Sequence, residues 1–264
     1  MDGTFLFLGT GASAGVPVIG CACAVCSSKS EQNKRLRPSG LIQIGGKSLL
    51  IDIGPDFRQQ ALHHKITHLD GLLLTHTHYD HIAGIDELRV LNYRQKKSFP
   101  CLLSNASYRD LKTRYYYLFE ENPEGEYRAA QLDCHILPSD FGKIDFLGVP
   151  IQYISYRQAD MQINGFRIGS FAYVSDIRDY DEKVFPALRG VETLVLSALR
   201  AEPSRVHLTL DEAVAFSQKV GAKQTWLTHI SHAVDHDAAC KLLPPTVQPG
   251  YDGLSLTFKV GSHA

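Results

Sequence analysis

The amino-acid sequence predicts an α/β protein that builds a site at the ends of its strands. Short apolar segments of strand length alternate with segments of helical periodicity along the chain. Several apolar segments end abruptly in histidine or aspartate, and α/β folds build active sites at the ends of core strands. The length of 264 residues fits one large domain or two small ones. No linker or low-complexity tract divides the chain, and we expect a single domain over residues 1–264.

The strongest signal follows the apolar run Leu72–Leu74. Within six residues the chain places His76, His78, Asp80 and His81. Such polar groups are costly at the edge of a core unless they are compensated, and a bound metal is the simplest compensation. Residues two apart in an extended segment face the same way, so His76 and His78 can present imidazoles to one ion while Asp80 and His81 turn toward another.

The segment before the strand Leu72–Thr75, which leads into the histidine cluster, predicts three further strands. Thr4–Leu8 is a strand that leads into the glycine-rich turn Gly9–Gly15, which lacks the lysine of a P-loop. Gly40–Ile44 and Ser48–Ile53 predict a hairpin. Asp52 lies between two isoleucines, and two interpretations are equally supported: a carboxylate that orients a histidine ligand, or a turn residue.

Helical patterns flank the histidine cluster. A helix is predicted over Phe57–Lys65, and a second begins at His81, because apolar residues recur with helical spacing from Ile82 to Leu91. Asp80 then lies near a helix N-terminus, where a carboxylate is favoured. Residues 105–135 are hard to interpret. A helix that packs the aromatic run Tyr115–Phe119 into the core is favoured there, and a lid, a substrate platform and a homodimer contact remain alternatives.

The second half of the chain repeats the pattern of strands that end in polar residues. A capping box, Thr209 with Glu212, predicts the start of a helix over Leu208–Val220, and His207 directly precedes it. Asp176 and His229 each follow an apolar strand. The predicted strands are Val149–Ser155, Phe166–Ile168, Phe171–Val174, Val191–Ser197, Gln224–Thr228 and Leu254–Val260.

The six cysteines divide into a cluster and three isolated residues. Cys21, Cys23 and Cys26 lie within six residues, and thiolates at this spacing can hold zinc in three of its four positions. We expect a zinc-binding loop at about residues 20–37. The isolated residues, Cys101, Cys134 and Cys240, are expected to be small buried hydrophobic side chains.

Composition is ordinary for a globular protein. Hydrophobic residues make up 44% and charged residues 21%, and the formal net charge is −1. No overall basic field recruits nucleic acid or an anionic membrane. The start of the chain lacks the pattern of a secretory signal, and no apolar run has membrane-spanning length, so a cytoplasmic location and no membrane partner are expected.

The run His76-Thr77-His78-Tyr79-Asp80-His81, with Asp52 upstream and Asp176 and His229 downstream, resembles the metallo-β-lactamase superfamily of dinuclear hydrolases. Together with Gly9-Thr10-Gly11, the cysteine cluster and Thr228–His232, it resembles the PhnP phosphodiesterases of the carbon–phosphorus lyase pathway. The resemblance implies an αβ/βα sandwich of two mixed sheets flanked by helices. It also implies two divalent ions, zinc or manganese, and one structural zinc. The implied ligands are His76 and His78 for the first metal, Asp80, His81 and His229 for the second, Asp176 as the bridge, and Cys21, Cys23, Cys26 and His232 for the structural zinc.

The resemblance further implies the catalytic residues. His207 corresponds to the general acid of the family, and Asp80 is the second candidate. The family normally supplies a third histidine to the first metal, and here the best-aligned residue is Tyr156. Tyrosine is a poor zinc ligand at neutral pH because its phenol has a pKa of ~10. We therefore expect the first metal to be bound weakly or differently.

Three functional hypotheses follow. The first is hydrolysis of a small phosphodiester, cyclic ones included, by two metal ions. The second is an RNA-processing nuclease with the same ligands, which would need a basic groove that the near-neutral chain does not obviously supply. The third is a degenerate family member that binds without turnover.

Overall fold

The chain folds into four layers, in which two seven-stranded sheets pack face to face and helices cover both outer surfaces. The computed structural model describes residues 2–120 and 129–260. The αβ/βα sandwich predicted from the sequence is confirmed. No helix in these described ranges is long and apolar enough to cross a membrane.

The first sheet holds the strands of the N-terminal half and the last strand of the chain. Its strand order is β14-β1-β2-β3-β4-β5-β6, and β3 to β6 run parallel. Its strands are β1 (Asp2–Gly9), β2 (Ser39–Ile44), β3 (Lys47–Ile51), β4 (Gly71–Leu73), β5 (Phe99–Leu103), β6 (Leu132–Ile136) and β14 (Ser255–Lys259).

The second sheet is built from consecutive strands of the C-terminal half. Its order is β13-β12-β11-β10-β9-β8-β7, and β10 to β13 run parallel. Its strands are β7 (Phe141–Phe146), β8 (Val149–Gln158), β9 (Met161–Ile168), β10 (Phe171–Val174), β11 (Thr193–Ser197), β12 (Gln224–Thr228) and β13 (Val247–Pro249).

Within the described ranges the helices are short, and three turns of 3₁₀ helix accompany them at Glu31–Asn33, Ile85–Leu88 and Tyr116–Phe119. The α-helices are α1 (Phe57–His63), α2 (Tyr79–Ile82), α3 (Arg89–Gln95), α4 (Asn105–Arg114), α5 (Val184–Leu188), α6 (Leu210–Val220) and α7 (His236–Leu242).

Three apolar clusters hold the layers together. Aromatic side chains such as Phe5, Phe171 and Tyr173 fill the space between the two sheets. One outer cluster packs α1 to α4 against the first sheet, and the other packs α5 to α7 against the second. The carboxyl ends of parallel strands lie at the same edge of a sheet. The packing of the two sheets therefore places the loops after β3, β4, β10 and β12 on the same side of the sandwich.

The glycine-rich turn packs closely against the backbone of another segment. A Cβ atom on Gly9 would lie 2.0 Å from the carbonyl oxygen of Arg37. The N–H of Gly11 donates to the Leu36 carbonyl oxygen at 2.8 Å. The predicted tight loop is therefore confirmed, and the backbone contact explains its glycines.

Most predicted elements are confirmed with shifts of a few residues, and two expectations are wrong. The helix expected from His81 is broken, because α2 ends at Ile82 and α3 begins only at Arg89. Cys134 and Cys240 are only partly buried, whereas Cys101 is fully buried. In the aromatic run, Leu118 is buried and Tyr116 is exposed. The acidic stretch that follows this run, Glu120–Glu126, lies largely outside the described residues.

Candidate metal centre

Four strand ends deliver the predicted ligands to one place. Asp52 follows β3, the histidine cluster follows β4, Asp176 follows β10 and His229 follows β12. The segment after β4 leaves the strand conformation at once, and Asp80 and His81 enter the short helix α2. Of these residues, His76, Asp80, His81, Asp176 and His229 are all buried.

Asp176 lies at the centre of the group. Its Oδ2 is 2.8 Å from His81 Nε2 and 3.5 Å from His76 Nε2. Its Oδ1 is 3.2 Å from His229 Nε2 and 3.2 Å from His207 Nδ1. The two oxygens thus face two different sets of imidazoles, which is the arrangement that a bridging carboxylate requires.

The remaining predicted ligands lie on either side of Asp176. Asp80 Oδ2 lies 3.2 Å from His229 Nε2 and 3.4 Å from His81 Nε2. The potential ligand atoms of Asp80, His81 and His229 lie within 4.8 Å of one another, as do those of His76, His81 and Asp176. His78 is more open, and its Nδ1 is 2.9 Å from His76 Nε2.

A single buried carboxylate orients two of the histidines. Asp52 Oδ2 is 2.7 Å from His81 Nδ1 and accepts the hydroxyl proton of Thr75 at 2.8 Å. The same hydroxyl lies 2.9 Å from His76 Nδ1 and can accept a proton from it. Both imidazoles are thereby held with Nε2 toward Asp176. Of the two interpretations of Asp52, the structure supports the one in which it orients histidine ligands.

The donor set fits divalent cations. His81 uses Nδ1 to reach Asp52, so its Nε2 lone pair faces a carboxylate oxygen of Asp176, and two acceptors at this distance need a positive charge between them. His81 Nε2 and both oxygens of Asp176 are buried without a hydrogen-bond partner among the described residues. Imidazole nitrogens with carboxylate oxygens are ligands that suit zinc and manganese.

The pKa values of His81 and Asp176 also indicate that this cluster favours a positive charge. Burial alone would lower the pKa of His81, but Asp80, Asp52 and Asp176 outweigh it, and the pKa lies well above its ordinary value. Burial alone would raise the pKa of Asp176, but the imidazoles of His229 and His81 bring it well below the ordinary value. In the absence of a cation, a proton on His81 can supply part of this charge.

His207 lies at the rim of this centre. It sits in the loop between β11 and α6, is largely buried, and packs its ring against His229 with centroids 4.6 Å apart. Its Nδ1, Asp176 and His229 form a third group of potential ligand atoms within 4.8 Å. The position suits a group that donates a proton beside the metals, and it also permits direct ligation.

Tyr156 offers no free ligand atom, in line with the expectation that it is a poor zinc ligand. Its buried hydroxyl donates to the carbonyl oxygen of Ser175 at 2.6 Å, so its polar atom is already engaged by the backbone. Gln158 is the residue of this strand that reaches the centre, because its Nε2 lies 3.1 Å from His207 Nδ1. The two residues share a strand face because they are two apart, which is the signal that could have identified Gln158.

Helix α4, which carries none of the predicted site residues, contacts the histidine loop. Arg114, at the end of α4, donates to the backbone carbonyl of Thr77 and forms an ion pair with Asp110. The Thr77 hydroxyl donates to the same Asp110 carboxylate. Nothing in the sequence singled out these residues, because an Asp–Arg pair four apart is common on helices.

The cysteine cluster and His232 form a second, separate group. The sulfur atoms of Cys21, Cys26 and Cys23 lie 3.3, 3.5 and 3.6 Å from His232 Nδ1. The N–H of Cys26 points at the Cys23 sulfur and, with Cys21 and His232, lowers the pKa of that thiol to about 6. Three thiols and one imidazole match the ligand set of a structural zinc site.

Comparison with known proteins agrees with this geometry. Residues 47–230 match the family model of the β-lactamase superfamily domain. A crystal structure of a diphosphatase from the PhnP family is 37% identical, covers 98% of each chain and superposes with a TM-score of 0.90. Two mixed sheets with flanking helices are therefore the fold that family and chain share.

Two curated relatives extend the comparison. An octanoyltransferase from Porphyromonas gingivalis is 35% identical over 256 residues, which are 94% of this chain and 50% of the relative. The chain thus spans about half the length of that protein. A ribonuclease Z from Methanopyrus kandleri is 26% identical over 83% of this chain and 91% of its own. From the family match and the close structural relative, the chain belongs to the metallo-β-lactamase superfamily of hydrolases, within its PhnP family.

Proposed function

We propose that this hydrolase cleaves small phosphodiesters, cyclic ones included, with two divalent metal ions. The observation that carries the proposal is the placement of Asp176, whose two oxygens face separate imidazole groups. His76 and His78 would hold one ion and Asp80, His81 and His229 the other, with Asp176 between the two sets. His81 Nε2 lies on the Oδ2 side of Asp176 with His76, and His229 Nε2 lies on the Oδ1 side. Bound ions would supply Lewis acidity, which lowers the pKa of a water and neutralises charge on the phosphate.

The residues of the chain divide the remaining work. Asp52 and Thr75 hold two ligand imidazoles in one tautomer, and the buried surroundings exclude bulk water. His207 would donate its proton to the leaving alkoxide. Water loses one proton and its oxygen forms the new P–O bond. The leaving oxygen keeps the electron pair of the broken bond and takes the proton of His207, and the proton lost by water restores His207 for the next turnover.

Metal-loaded protein tests the proposal. We expect two ions beyond the structural zinc, and turnover of bis(p-nitrophenyl) phosphate and of a 2′,3′-cyclic nucleotide with zinc or manganese. His207→Ala should lower turnover of the cyclic nucleotide by about a hundredfold or more and leave the metal content unchanged. Failure to cleave either substrate with either metal would overturn the proposal. Loss of metal from His207→Ala would make His207 a ligand instead.

An RNA-processing nuclease is the second candidate function. It is supported by the ribonuclease Z relative, which is 26% identical over most of the chain. Adding a precursor tRNA to the substrates distinguishes the nuclease from the small-molecule phosphodiesterase. Specific cleavage of its 3′ end, without turnover of the small phosphodiesters, would favour the nuclease. A diphosphate substrate belongs in the same panel because the PhnP-family relative is described as a diphosphatase.

A further inference from the structure

Gln158 is a buried amide directed at the candidate acid. It is the last residue of β8, and only 6% of its surface is exposed. Its Nε2 lies 3.1 Å from Nδ1 and 3.4 Å from Nε2 of His207, so the amide packs along the ring edge between the two nitrogens. Leaving a buried amide unpaired costs free energy, so this contact favours a fixed position of the imidazole.

The loop that carries His207 needs such a contact. The nearest regular elements are β11, which ends at Ser197, and α6, which begins at Leu210. The backbone of His207 is held by Ser204, which accepts its N–H, and by Arg178, which donates to its carbonyl oxygen, both at 3.3 Å. These bonds place the Cα atom, but they leave the side-chain torsions of His207 free. Gln158 supplies a hydrogen bond to the ring itself.

The chemistry of the amide specifies more than position. An amide N–H donates, so it requires a lone pair on His207 and favours the tautomer with the proton on Nε2. Asp176 Oδ1 lies 3.2 Å from Nδ1 and would attract a proton there. Cations held by Asp176 would weaken that competition. We infer that Gln158 is a positioning residue that holds the His207 ring and its tautomer with the Nε2 proton available for the leaving group; this rests on the proposed function.

Gln158→Met, which keeps the length of the side chain and removes its donor, tests the inference. Gln162→Met on the neighbouring β9 is the matched control, because Gln162 bonds Asp140 and Ser155. Two substrates are compared: bis(p-nitrophenyl) phosphate, whose phenolate leaves without a proton, and a 2′,3′-cyclic nucleotide, whose alkoxide needs one. A positioning role lowers kcat for the cyclic nucleotide by about tenfold to a hundredfold and kcat for the nitrophenyl ester by less than about threefold.

Other outcomes would overturn the inference. Equal losses on both substrates indicate a structural role, and unchanged kinetics indicate no role. Loss of metal indicates that Gln158 supports the metals instead. If His207→Ala retains its selective loss while Gln158→Met has none, only the role of Gln158 fails. Gln158→Leu, which also removes the donor and adds no charge, repeats the test if the methionine variant does not fold.

A second measurement does not depend on turnover. Imidazole nitrogen NMR spectra of metal-loaded protein should show His207 protonated on Nε2 in the wild type and in Gln162→Met. In Gln158→Met, the Nε2–H signal should broaden or be replaced by the other tautomer. An unchanged His207 signal in Gln158→Met would overturn the inference even if neither phosphodiester proves to be a substrate.

Discussion

Three residues of the metal centre have a backbone conformation that is uncommon for residues with a side chain. Asp52, Asp176 and His229 have φ values of 57°, 55° and 58°, and each follows the end of a strand. Such left-handed residues cost roughly 1–3 kcal/mol and persist only where their surroundings hold them. At each of these strand ends the turn redirects the chain, and with it the side chain, toward the shared cleft. This strain is part of how the fold assembles ligands from distant segments.

Asp52→Asn should weaken metal binding without removing a ligand. The amide accepts at one atom only. With its oxygen toward the Thr75 N–H it loses the bonds to His81 and to the Thr75 hydroxyl, and with its oxygen toward those two groups its NH₂ opposes the Thr75 N–H. We expect the affinity for the dinuclear metals to fall by about tenfold to a hundredfold. Competition with a coloured chelator measures this, and Asp56→Asn, which alters a carboxylate paired with Arg37, is the control. Unchanged affinity would mean that other contacts orient these histidines.

At the scale of single residues, the sequence predicted those side chains whose chemistry is specific to metal binding. Closely spaced histidines and cysteines have few roles other than metal binding, so His76 to His81 and Cys21 to Cys26 were recognisable. Gln158 and Thr75 were not, because amides and hydroxyls occur in every part of a protein. Their roles depend on strand pairing and loop positions that a single sequence does not reveal.

At the scale of elements, local signals predicted well and tertiary contacts did not. The capping box of α6 is present as expected, because Thr209 and Glu212 are close in sequence and bond each other's backbone. The helix predicted from His81 is instead broken at Ala83 and Gly84. There the N–H of Gly84 donates to the carbonyl oxygen of Ile53, which ties the histidine loop to the end of β3. Periodicity could not indicate this contact.

Gly84→Ala should disturb the metal centre through the backbone. A Cβ atom at this position would lie 2.2 Å from the carbonyl oxygen of Gly54, and backbone cannot move aside as a flexible side chain can. We expect the free energy of unfolding to fall by about 2 kcal/mol or more. Because α2 carries Asp80 and His81 directly before the glycine, retention of the second metal should also fall. Urea unfolding and metal analysis measure both, and a variant with wild-type values would show that the two segments can separate freely.

At the scale of the whole molecule, contacts between segments that are distant in sequence hold the fold together around the metal centre. The cysteine cluster meets His232 across more than 200 residues of sequence, and Arg35 donates to the Gly250 carbonyl oxygen. The layered arrangement was predictable only through family resemblance, since the strand patterns alone do not specify which strands pair. Arg35 also donates to the Thr10 hydroxyl, which in turn donates to Asp252, and these residues form a buried polar network. Nothing in the sequence indicated it, because an isolated arginine in a sequence usually lies on the surface.

Asp252 makes the stability of the protein depend on pH, and the sign of the dependence follows from its pKa. Its Oδ1 accepts the Thr10 hydroxyl and its Oδ2 accepts the Leu36 N–H, both at 2.7 Å, while burial raises its pKa to about 6. Between the ordinary value of 3.8 and about 6, the folded state keeps a proton that the unfolded state has lost. The contribution of Asp252 to stability is therefore present below this window and declines as pH rises through it.

Asp252→Asn should remove this dependence. The amide keeps the shape of the side chain and does not titrate, so the stability of the variant relative to wild type should rise with pH. A shift of about two pH units corresponds to ~3 kcal/mol, and partial solvent exposure reduces the expected change to about 1–2 kcal/mol. Urea unfolding of both proteins in chelator at about pH 4.5 and about pH 7 measures it, and the difference between proteins cancels titrations that they share. A difference that is constant with pH, or that moves toward the wild type, would mean that Arg35 already stabilises the charged carboxylate in full.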